Sequence, residues 1–202
     1  MSQFKKMMLV GLTPLLLSGL LVGQVNRVSA AQHQNGQHKN TETTFAYFNK
    51  SGLLLMPKNY REWIFIGSPV TPKDMNDGNP AFPEFHNVYI DPASWAHWKK
   101  TGQFRDGTII VKELVSVGAK QSASGNGYFQ GEFLGIAATV KDSKRFAERP
   151  NYWAYFGFDG YQSKSAEPQP DESCNACHQA NAAEDNVFIQ HYPVLRAGKP
   201  GK

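Results

Sequence analysis

The sequence predicts an α+β fold, in which an antiparallel sheet of about five strands is accompanied by a few short helices. Five segments rich in β-branched or aromatic residues follow one another with tight turns between them, and sequential strands joined in this way pair antiparallel. Helical signals are short, and they place the helices on one side or at one end of such a sheet. A length of 202 residues, with 41% hydrophobic and 19% charged residues, fits one ordinary globular domain.

The strands are expected in five segments of the chain. A single helical turn at 59–62 leads into the first strand at 63–70, and a loop rich in Pro, Asp, Asn and Gly separates it from the second. The third segment is rich in β-branched residues, a Gly-Asn-Gly turn at 125–127 joins it to the fourth, and the fifth is strongly aromatic. The four later strands are predicted at 85–90, 108–117, 128–140 and 152–158.

Start and stop signals predict four short helices. Asp91 at an N-cap, Pro92 at the first helical position and Gly102 just past the end mark the clearest one. Residues 142–149 are expected to be helical and to stop at the proline that follows them. Two further helices are expected near the C-terminus, at 173–184 with Ser173 as the N-cap and at 185–192 before Pro193.

The N-terminus has the three parts of a secretory signal peptide. Lys5 and Lys6 precede an apolar run at 7–22, and small residues at 28–31 offer a cleavage site. The apolar run is shorter than the ~20 residues of a membrane span and contains a proline, which disfavours an uncleaved anchor. We therefore expect a signal peptide at 1–30, export to the periplasm, and no membrane span after cleavage.

The mature chain is expected to contain a flexible leader and one domain. Residues 31–46 are mostly polar and rich in Gly, Asn, Gln and His, and residues 47–202 form the predicted domain. Without residues 1–30 the chain carries 18 basic and 17 acidic residues, a balance that does not favour nucleic acid as a partner. Two cysteines in all exclude a disulfide-stapled scaffold and a four-cysteine zinc site.

The motif that carries chemistry is C-x-x-C-H, formed by Cys174, Cys177 and His178. In an exported protein this motif is the signal for covalent attachment of haem c. Two thiols at this spacing reach the two vinyl groups of one haem edge, and the adjacent histidine reaches the iron from beneath the ring. We therefore expect a C-terminal haem-attachment helix with His178 as the iron ligand.

Three other interpretations of the motif remain open at this point. A thioredoxin-like redox pair would follow an early strand of a βαβ unit, whereas these cysteines follow the whole sheet. A zinc site could combine the motif with His191, although a histidine directly beside the second cysteine is awkward for tetrahedral closure. A plain structural disulfide would not need His178.

The sixth coordination position of the iron decides the kind of haem protein. Electron carriers usually fill it with a methionine or a second histidine. Met56 and Met75 are the methionines of the mature chain, and both lie in predicted loops before or between early strands. The long strand-rich segment ahead of the motif favours a sheet over the distal face of the haem, with an iron site open to small ligands.

Strand parity points to three further residues. His86 alternates with two apolar residues in the second strand and so shares an apolar face. Lys112 alternates with Ile110 and Leu114, and a lysine on an apolar face is uncommon unless its stem snorkels to solvent. In the fourth strand Ala137 is expected to share a face with residues that leave room for a flat ring, namely Gly131, Phe133 and Gly135.

These residues give the chain a resemblance to the cytochrome P-460 family, exported c-type haem proteins of ammonia- and methane-oxidising bacteria. The resemblance covers nearly all of the mature chain. Together with the haem motif, it is carried by six stretches that are more specific than the motif alone: LLLMPKNYREW (53–63), VYIDPASWAHWKKT (88–101), FRDGTIIVKELVSV (104–117), GNGYF (125–129), VKDSKRF (140–146) and YPVLRA (192–197).

The resemblance implies a homodimer built on antiparallel sheets, a five-coordinate haem, and oxidation of hydroxylamine toward nitric oxide, nitrous oxide or nitrite. It also implies a third covalent link, from a lysine nitrogen to a meso carbon of the porphyrin, and the matching lysine is Lys112. A distal arginine of the family corresponds to His86 here, and a distal carboxylate that accepts protons corresponds to Ala137. Because alanine accepts no proton, the resemblance predicts impaired turnover.

Three functions follow as hypotheses. The leading one is a periplasmic haem oxidoreductase that binds hydroxylamine at an open iron site, passes electrons to a partner cytochrome, and has Lys112, His86 and Ala137 beside the substrate. The second is a non-enzymatic nitric oxide or carbon monoxide binder similar to the cytochromes c′-beta, which lack the lysine link. The third is a simple electron carrier.

Overall fold

The computed structural model describes residues 43–201, and these form the α+β fold that the sequence predicts. Helices and short strands surround one large antiparallel sheet. The strands in chain order are β1 Leu54–Leu55, β2 Ile64–Gly67, β3 Phe85–Ile90, β4 Ile109–Val117, β5 Gln121–Ser122, β6 Gly125–Asn126, β7 Gln130–Lys141, β8 Trp153–Gly157 and β9 Ser165–Ala166.

Five of these strands form the main sheet in the order β2-β3-β4-β7-β8, and every neighbouring pair is antiparallel. Each of the five predicted segments contains one of them, although β2 is shorter than predicted. Two smaller pairs stand apart, β1 with β9 and β5 with β6. The turn predicted at 125–127 is wrong, because residues 125–126 form β6 in a small hairpin with β5.

Three α-helices accompany the sheet: α1 Pro92–Thr101, α2 Asn175–Asn181 and α3 Pro193–Gly198. Helix α1 begins as predicted, because Asp91 Oδ1 accepts the Ser94 N–H at 2.8 Å, and it ends at Gly102, which has a φ of +70°. The second oxygen of Asp91 accepts the N–H of Ile109 at 3.0 Å, which ties the start of α1 to β4. Single 3-10 turns lie at Tyr60–Glu62, Lys73–Met75, Pro150–Tyr152 and Ile189–His191.

The helix predicted at 142–149 is wrong, because this segment forms successive turns. The carboxylates of Asp106 and Asp142 accept the backbone N–H groups of residues 143–145, so side chains rather than a helical ladder satisfy these donors. Arg149 precedes a proline and is extended, with φ −93° and ψ 150°, which ends any helical path at that residue.

The helix predictions near the C-terminus are also corrected. Ser173 does not cap α2, which has Cys174 at its N-cap and no side-chain capping bond. The helix expected at 185–192 is only a 3-10 turn, because Asp185 and Asn186 both adopt the left-handed conformation. Pro193 begins α3 instead of ending a helix, and its missing N–H makes it well suited to that first position.

The main sheet separates two hydrophobic clusters. On the back face, side chains of β4, β7 and β8 pack against the segment around β1, and the cluster includes Leu54, Ile109, Val111, Ile136, Ala138, Val140 and Phe156. On the front face, strand residues pack with α1 and α3, and the cluster includes Ile66, Val88, Ile90, Trp98, Ile110, Trp153, Tyr155 and Leu195. A row of paired residues crosses the front face from β3 to β8: Val88, Lys112, Ala137 and Gly157.

Strand β7 is irregular beside this row. Gly135 and Phe133 pair with consecutive residues of β4, so a register shift separates them. Consecutive strand residues point to opposite faces, and Phe133 therefore does not share the face of Ala137 as predicted. A Cβ on Gly135 would lie 2.5 Å from the Gly160 Cα, so the close approach of backbone explains this glycine.

The packed domain begins earlier than predicted. Ala46 is buried, and the Phe45 ring lies edge-on to Trp63 with 5.6 Å between the ring centroids. Both residues were expected in the leader but contribute to the back-face cluster. The predicted signal peptide and residues 31–42 of the predicted leader lie outside the described residues. No helix in the described part of the chain is long and apolar enough to cross a membrane.

Candidate cofactor site

Helix α2 presents the C-x-x-C-H motif and is tied to β8. Asn175 is fully buried, and its Nδ2 donates to the Trp153 carbonyl at 3.2 Å and to Asp171 Oδ1 at 2.6 Å. Asp171 also accepts a hydrogen bond from Arg149 at 2.6 Å. Because Trp153 begins β8, these bonds hold the first turn of α2, and with it the motif, against the end of the sheet.

The two thiols of the motif are free and lie one helical turn apart. Cys174 is partly buried and Cys177 is exposed. Burial raises the pKa of the Cys174 thiol, and the Lys112 ammonium opposes this rise. No three His, Cys, Asp or Glu side chains within residues 43–201 are arranged to hold a metal ion, so the zinc interpretation with His191 has no support. Both thiols are available for attachment to a cofactor.

The orientation of His178 is set by the Asn186 carbonyl. Nδ1 of His178 lies 2.8 Å from this oxygen, which can only accept, so Nδ1 carries the proton and Nε2 presents a lone pair. The Tyr155 hydroxyl donates to the same carbonyl at 3.3 Å. Asn186 has a φ of +57° and is held by side-chain bonds to Asn151 and the Pro150 carbonyl. A hydrogen bond on the far ring nitrogen is how metal-binding histidines are usually positioned.

Burial keeps the His178 imidazole neutral. Burial lowers the pKa of the ring, and the positive charge of Lys112 lowers it further. The hydrogen bond to the Asn186 carbonyl raises the pKa and so opposes these two effects. The ring contacts Tyr155 and Phe188, with centroid distances of 4.4 and 4.6 Å. Since Tyr155 lies on the front face of β8, His178 stands beside that face in the neutral form that binds metals.

Lys112 is an amine held at the centre of the front-face row. Burial lowers the pKa of its ammonium, while the negative charges of Glu84 and Cys174 raise it. Its Nζ lies 4.5 Å from the centre of the Phe82 ring. No residue of the described chain forms a salt bridge with it. The Lys112 ammonium is thus mostly buried, and its charge acts on both Cys174 and His178 of the motif.

His86 lies on the same face, and its Nε2 is buried without a hydrogen-bond partner among the described residues. The nearest charged group is Glu84, whose Oε1 is 3.7 Å from Nε2. Burial, and then the Lys112 charge, lower the pKa of His86 to about 4. The Phe82 ring lies edge-on to the imidazole at 5.8 Å. His86 is thus neutral at pH 7 in an apolar setting next to Lys112.

Ala137 lies between Lys112 and Gly157 in the front-face row. A Cβ on Gly157 would lie 3.9 Å from Nε2 of Gln169, which is the nearest side-chain atom there. This part of the row therefore contains no carboxylate, and the neighbouring polar group is a neutral amide. The structure places Lys112, His86 and Ala137 on one face, but it gives Ala137 itself no polar contact.

The methionines and the other histidines lie elsewhere. Met56 packs against the back-face cluster, on the other side of the sheet from His178, and Met75 is 72% exposed. His97 is partly exposed on α1, and His191 stacks on Phe188 at 5.9 Å. Neither methionine is placed to serve as the second axial ligand of an electron carrier.

Sequence reasoning missed Asn186, Asn175 and Glu84. An Asp-Asn pair at 185–186 signals a left-handed turn, since these residue types tolerate that conformation. That signal could not show that the Asn186 carbonyl would meet His178. Glu84 directly precedes β3 and lies two residues before His86, so strand alternation extended by one residue could have found it.

The residues brought together fit a haem. A neutral histidine with an available Nε2, two free thiols on the same helix, and a buried amine all stand at the front of the sheet. The model of a family described as Cytochrome P460 matches residues 57–189, a span that contains every residue of this site. No curated protein matches the chain. The chain therefore belongs to the cytochrome P460 family, which implies a haem cofactor.

Proposed function

We propose that the protein is an exported c-type haem oxidoreductase that oxidises hydroxylamine toward nitric oxide, nitrous oxide or nitrite. The observation that best supports this proposal is the position of Lys112, a buried amine within electrostatic reach of Cys174 and His178. An ordinary c-type haem needs only the C-x-x-C-H motif. A mostly buried lysine whose charge acts on the motif supports the additional porphyrin link that the family resemblance implies.

Four side chains would hold the haem. Cys174 and Cys177 would form the thioethers, His178 Nε2 would bind the iron, and Lys112 Nζ would bond to the porphyrin. The lowered pKa of Lys112 supports the last assignment, because only the unprotonated amine can form a bond to carbon. When bound, the haem supplies an open iron site for a small nitrogen ligand and a route for its electrons.

The chain's own residues would shape the substrate side of this site. His86 is unprotonated at pH 7 and can accept a proton. The Phe82 ring lies against the Lys112 amine, with 4.5 Å between Nζ and the ring centre. Ala137 can neither accept a proton nor orient a polar ligand, so proton removal rests on other groups.

A second candidate is a nitric oxide or carbon monoxide binder without turnover, similar to the cytochromes c′-beta. The observation that favours it is the absence of a carboxylate from the described row Val88, Lys112, Ala137 and Gly157. Oxidation of hydroxylamine releases protons together with electrons, and a positioned base typically contributes ~10²–10⁴-fold to such steps. Diatomic ligands need no base to bind.

We also propose that the mature protein is a periplasmic homodimer that passes electrons to a cytochrome. Export is supported by the N-terminal sequence, and dimer formation by the family resemblance. Large apolar side chains on β2 and β7 are exposed, including Phe65, Phe133 and Leu134, and contact with a second copy would cover apolar surface of this kind. Light scattering of the mature protein tests the dimer.

The optical spectrum and the hydroxylamine oxidation rate of the mature protein test the main proposal. Wild-type protein should be green, with a red-shifted Soret band, and should reduce an artificial electron acceptor when given hydroxylamine. Lys112→Leu should lose both properties but keep its haem, whereas Lys100→Leu, an exposed lysine on α1, should match the wild type. An ordinary high-spin haem c spectrum in the wild type would favour the second candidate, and a six-coordinate low-spin spectrum would favour an electron carrier.

A further inference from the structure

A carboxylate that the sequence analysis did not use approaches the front face from the loop before β3. The Glu84 side chain is 13% exposed, and its Oε1 lies 3.7 Å from His86 Nε2. This ring nitrogen is buried and has no hydrogen-bond partner within residues 43–201. A buried ring nitrogen without a partner is unfavourable, so the arrangement calls for a group that completes it, and Glu84 is the charged group within reach.

Glu84 also interacts with the other titratable group of this region. Its charge raises the pKa of the Lys112 ammonium, whereas that ammonium lowers the pKa of His86. Glu84, His86 and Lys112 thus form a small set of ionisable side chains, and the Phe82 ring lies against both His86 and Lys112. Lys112 and His86 compete for the one carboxylate.

We propose that Glu84 is a positioning residue that makes His86 the proton acceptor of the substrate site, in the role that Ala137 cannot fill. This inference rests on the proposed function. A carboxylate only accepts hydrogen bonds, so it favours the tautomer with the proton on Nε2 and leaves the Nδ1 lone pair for a proton. The N–H or O–H proton of the substrate then moves to Nδ1, and the carboxylate stabilises the positive imidazolium.

The distance between the Glu84 carboxylate and the His86 ring fits a pair that tightens when His86 takes up a proton. At 3.7 Å the Oε1 and Nε2 atoms are slightly too far apart for a direct hydrogen bond, which needs about 3 Å. A carboxylate is drawn to a charged imidazolium more strongly than to a neutral ring, so uptake of the proton closes the gap. One bond from hydrogen to substrate breaks and one to Nδ1 forms, and no further reactant is required for this step.

The charge on Lys112 determines how basic His86 is and how strongly Glu84 interacts with it. A free ammonium attracts Glu84 and makes His86 a weaker base. A Lys112 nitrogen bonded to a ring carbon of the porphyrin would no longer carry that charge. It would then neither attract Glu84 nor lower the pKa of His86. Formation of the lysine link would then make Glu84 available to His86 and make His86 a stronger base.

The test compares Glu84→Gln with wild type, and Glu132→Gln, an exposed glutamate on β7, is the matched control. Nitrogen NMR of the reduced carbon monoxide form, which is diamagnetic, reports the tautomer and the pKa of His86 without any turnover. We expect Glu84→Gln to make His86 at least ~10-fold less basic and to abolish its preference for a proton on Nε2, because the nearby negative charge is gone. Glu132→Gln should leave both unchanged.

The pH profile of hydroxylamine oxidation gives the second measurement. In Glu84→Gln the rate of hydroxylamine oxidation should fall about tenfold or more. The acid limb of the pH profile should move to lower pH, because a less basic His86 stays unprotonated at lower pH. An unchanged His86 titration in Glu84→Gln, in a variant that folds normally by circular dichroism, overturns the proposal. Absence of turnover in wild type overturns the proposed function instead, and the Glu84–His86 pairing is then judged by the NMR titration alone.

Discussion

Acid should destabilise this protein through His86. Burial, and then the Lys112 charge, lower the pKa of its imidazole from the ordinary 6.5 to about 4 in the folded chain. The unfolded chain therefore takes up this proton near pH 6.5, whereas the folded chain takes it up only near pH 4. The stabilising contribution of the neutral ring is fully present above pH 6.5 and is lost as the pH falls through 4.

The size of the effect follows from the two pKa values. One pKa unit corresponds to ~1.4 kcal/mol, so the free energy of unfolding should fall by about 3 kcal/mol over this range and by about 2 kcal/mol between neutral pH and pH 5. Solvent screening is small, because the His86 side chain is only 17% exposed. These figures are upper values, since a bond from Lys112 to the porphyrin would remove the second cause of the shift.

Urea unfolding of wild type and His86→Leu between about pH 7 and pH 5 measures this contribution. Carbon monoxide on the reduced iron keeps the histidines of the unfolded chain from binding it. Wild type and the control His97→Leu, at a partly exposed position on α1, should each lose about 2 kcal/mol more than His86→Leu. Equal losses in wild type and His86→Leu would refute the assignment of a buried neutral imidazole.

Three further predictions concern the site. Lys112→Leu should keep its thioether-bound haem but show the spectrum of ordinary high-spin haem c, and an unchanged spectrum would mean that another residue makes the link. Ala137→Glu should raise anaerobic hydroxylamine oxidation by up to ~10²-fold with little change in the resting spectrum, the low end of what a positioned base contributes because His86 already accepts protons, and no gain in a folded, cross-linked variant would count against it. Asn186→Ala should lower the urea-measured free energy of unfolding by about 1–2 kcal/mol, and Asn186→Gly should cost less because φ is +57°; equal costs would contradict the backbone argument.

Local signals predicted the parts of the fold that local interactions determine. Helix α1 begins at the Asp91 cap and ends at Gly102, because the capping bond to Ser94 and the left-handed glycine are both properties of a few neighbouring residues. Residues 142–149 carry a similar start signal at Asp142, yet they form turns. There the distant Asp106 carboxylate accepts a backbone N–H of the segment, and no local pattern could reveal that contact.

The candidate site likewise contains residues that sequence patterns could identify and residues that they could not. The sequence alone identified the motif residues, and strand alternation put His86 and Lys112 each on an apolar face of its own strand. The antiparallel pairing of β3 with β4 brings these two faces to the same side of the sheet. Alternation failed for Phe133, because a register shift in β7 changes the phase. The Asn186 carbonyl meets His178 only because two left-handed residues turn the chain back, which a helix signal at 185–192 concealed. Glu84 lies two residues before His86, and the alternation that placed His86 could have been extended to it.

The most direct test of the proposed haem attachment is a tryptic map of the mature protein by mass spectrometry. Trypsin does not cleave after a modified lysine, so a Lys112–porphyrin bond should yield one haem that joins fragment 106–120 to fragment 165–196, which contains Cys174 and Cys177. Separate fragments 106–112 and 113–120, with the haem on 165–196 alone, would contradict the lysine link. A fragment 165–196 without haem would contradict the covalent attachment altogether.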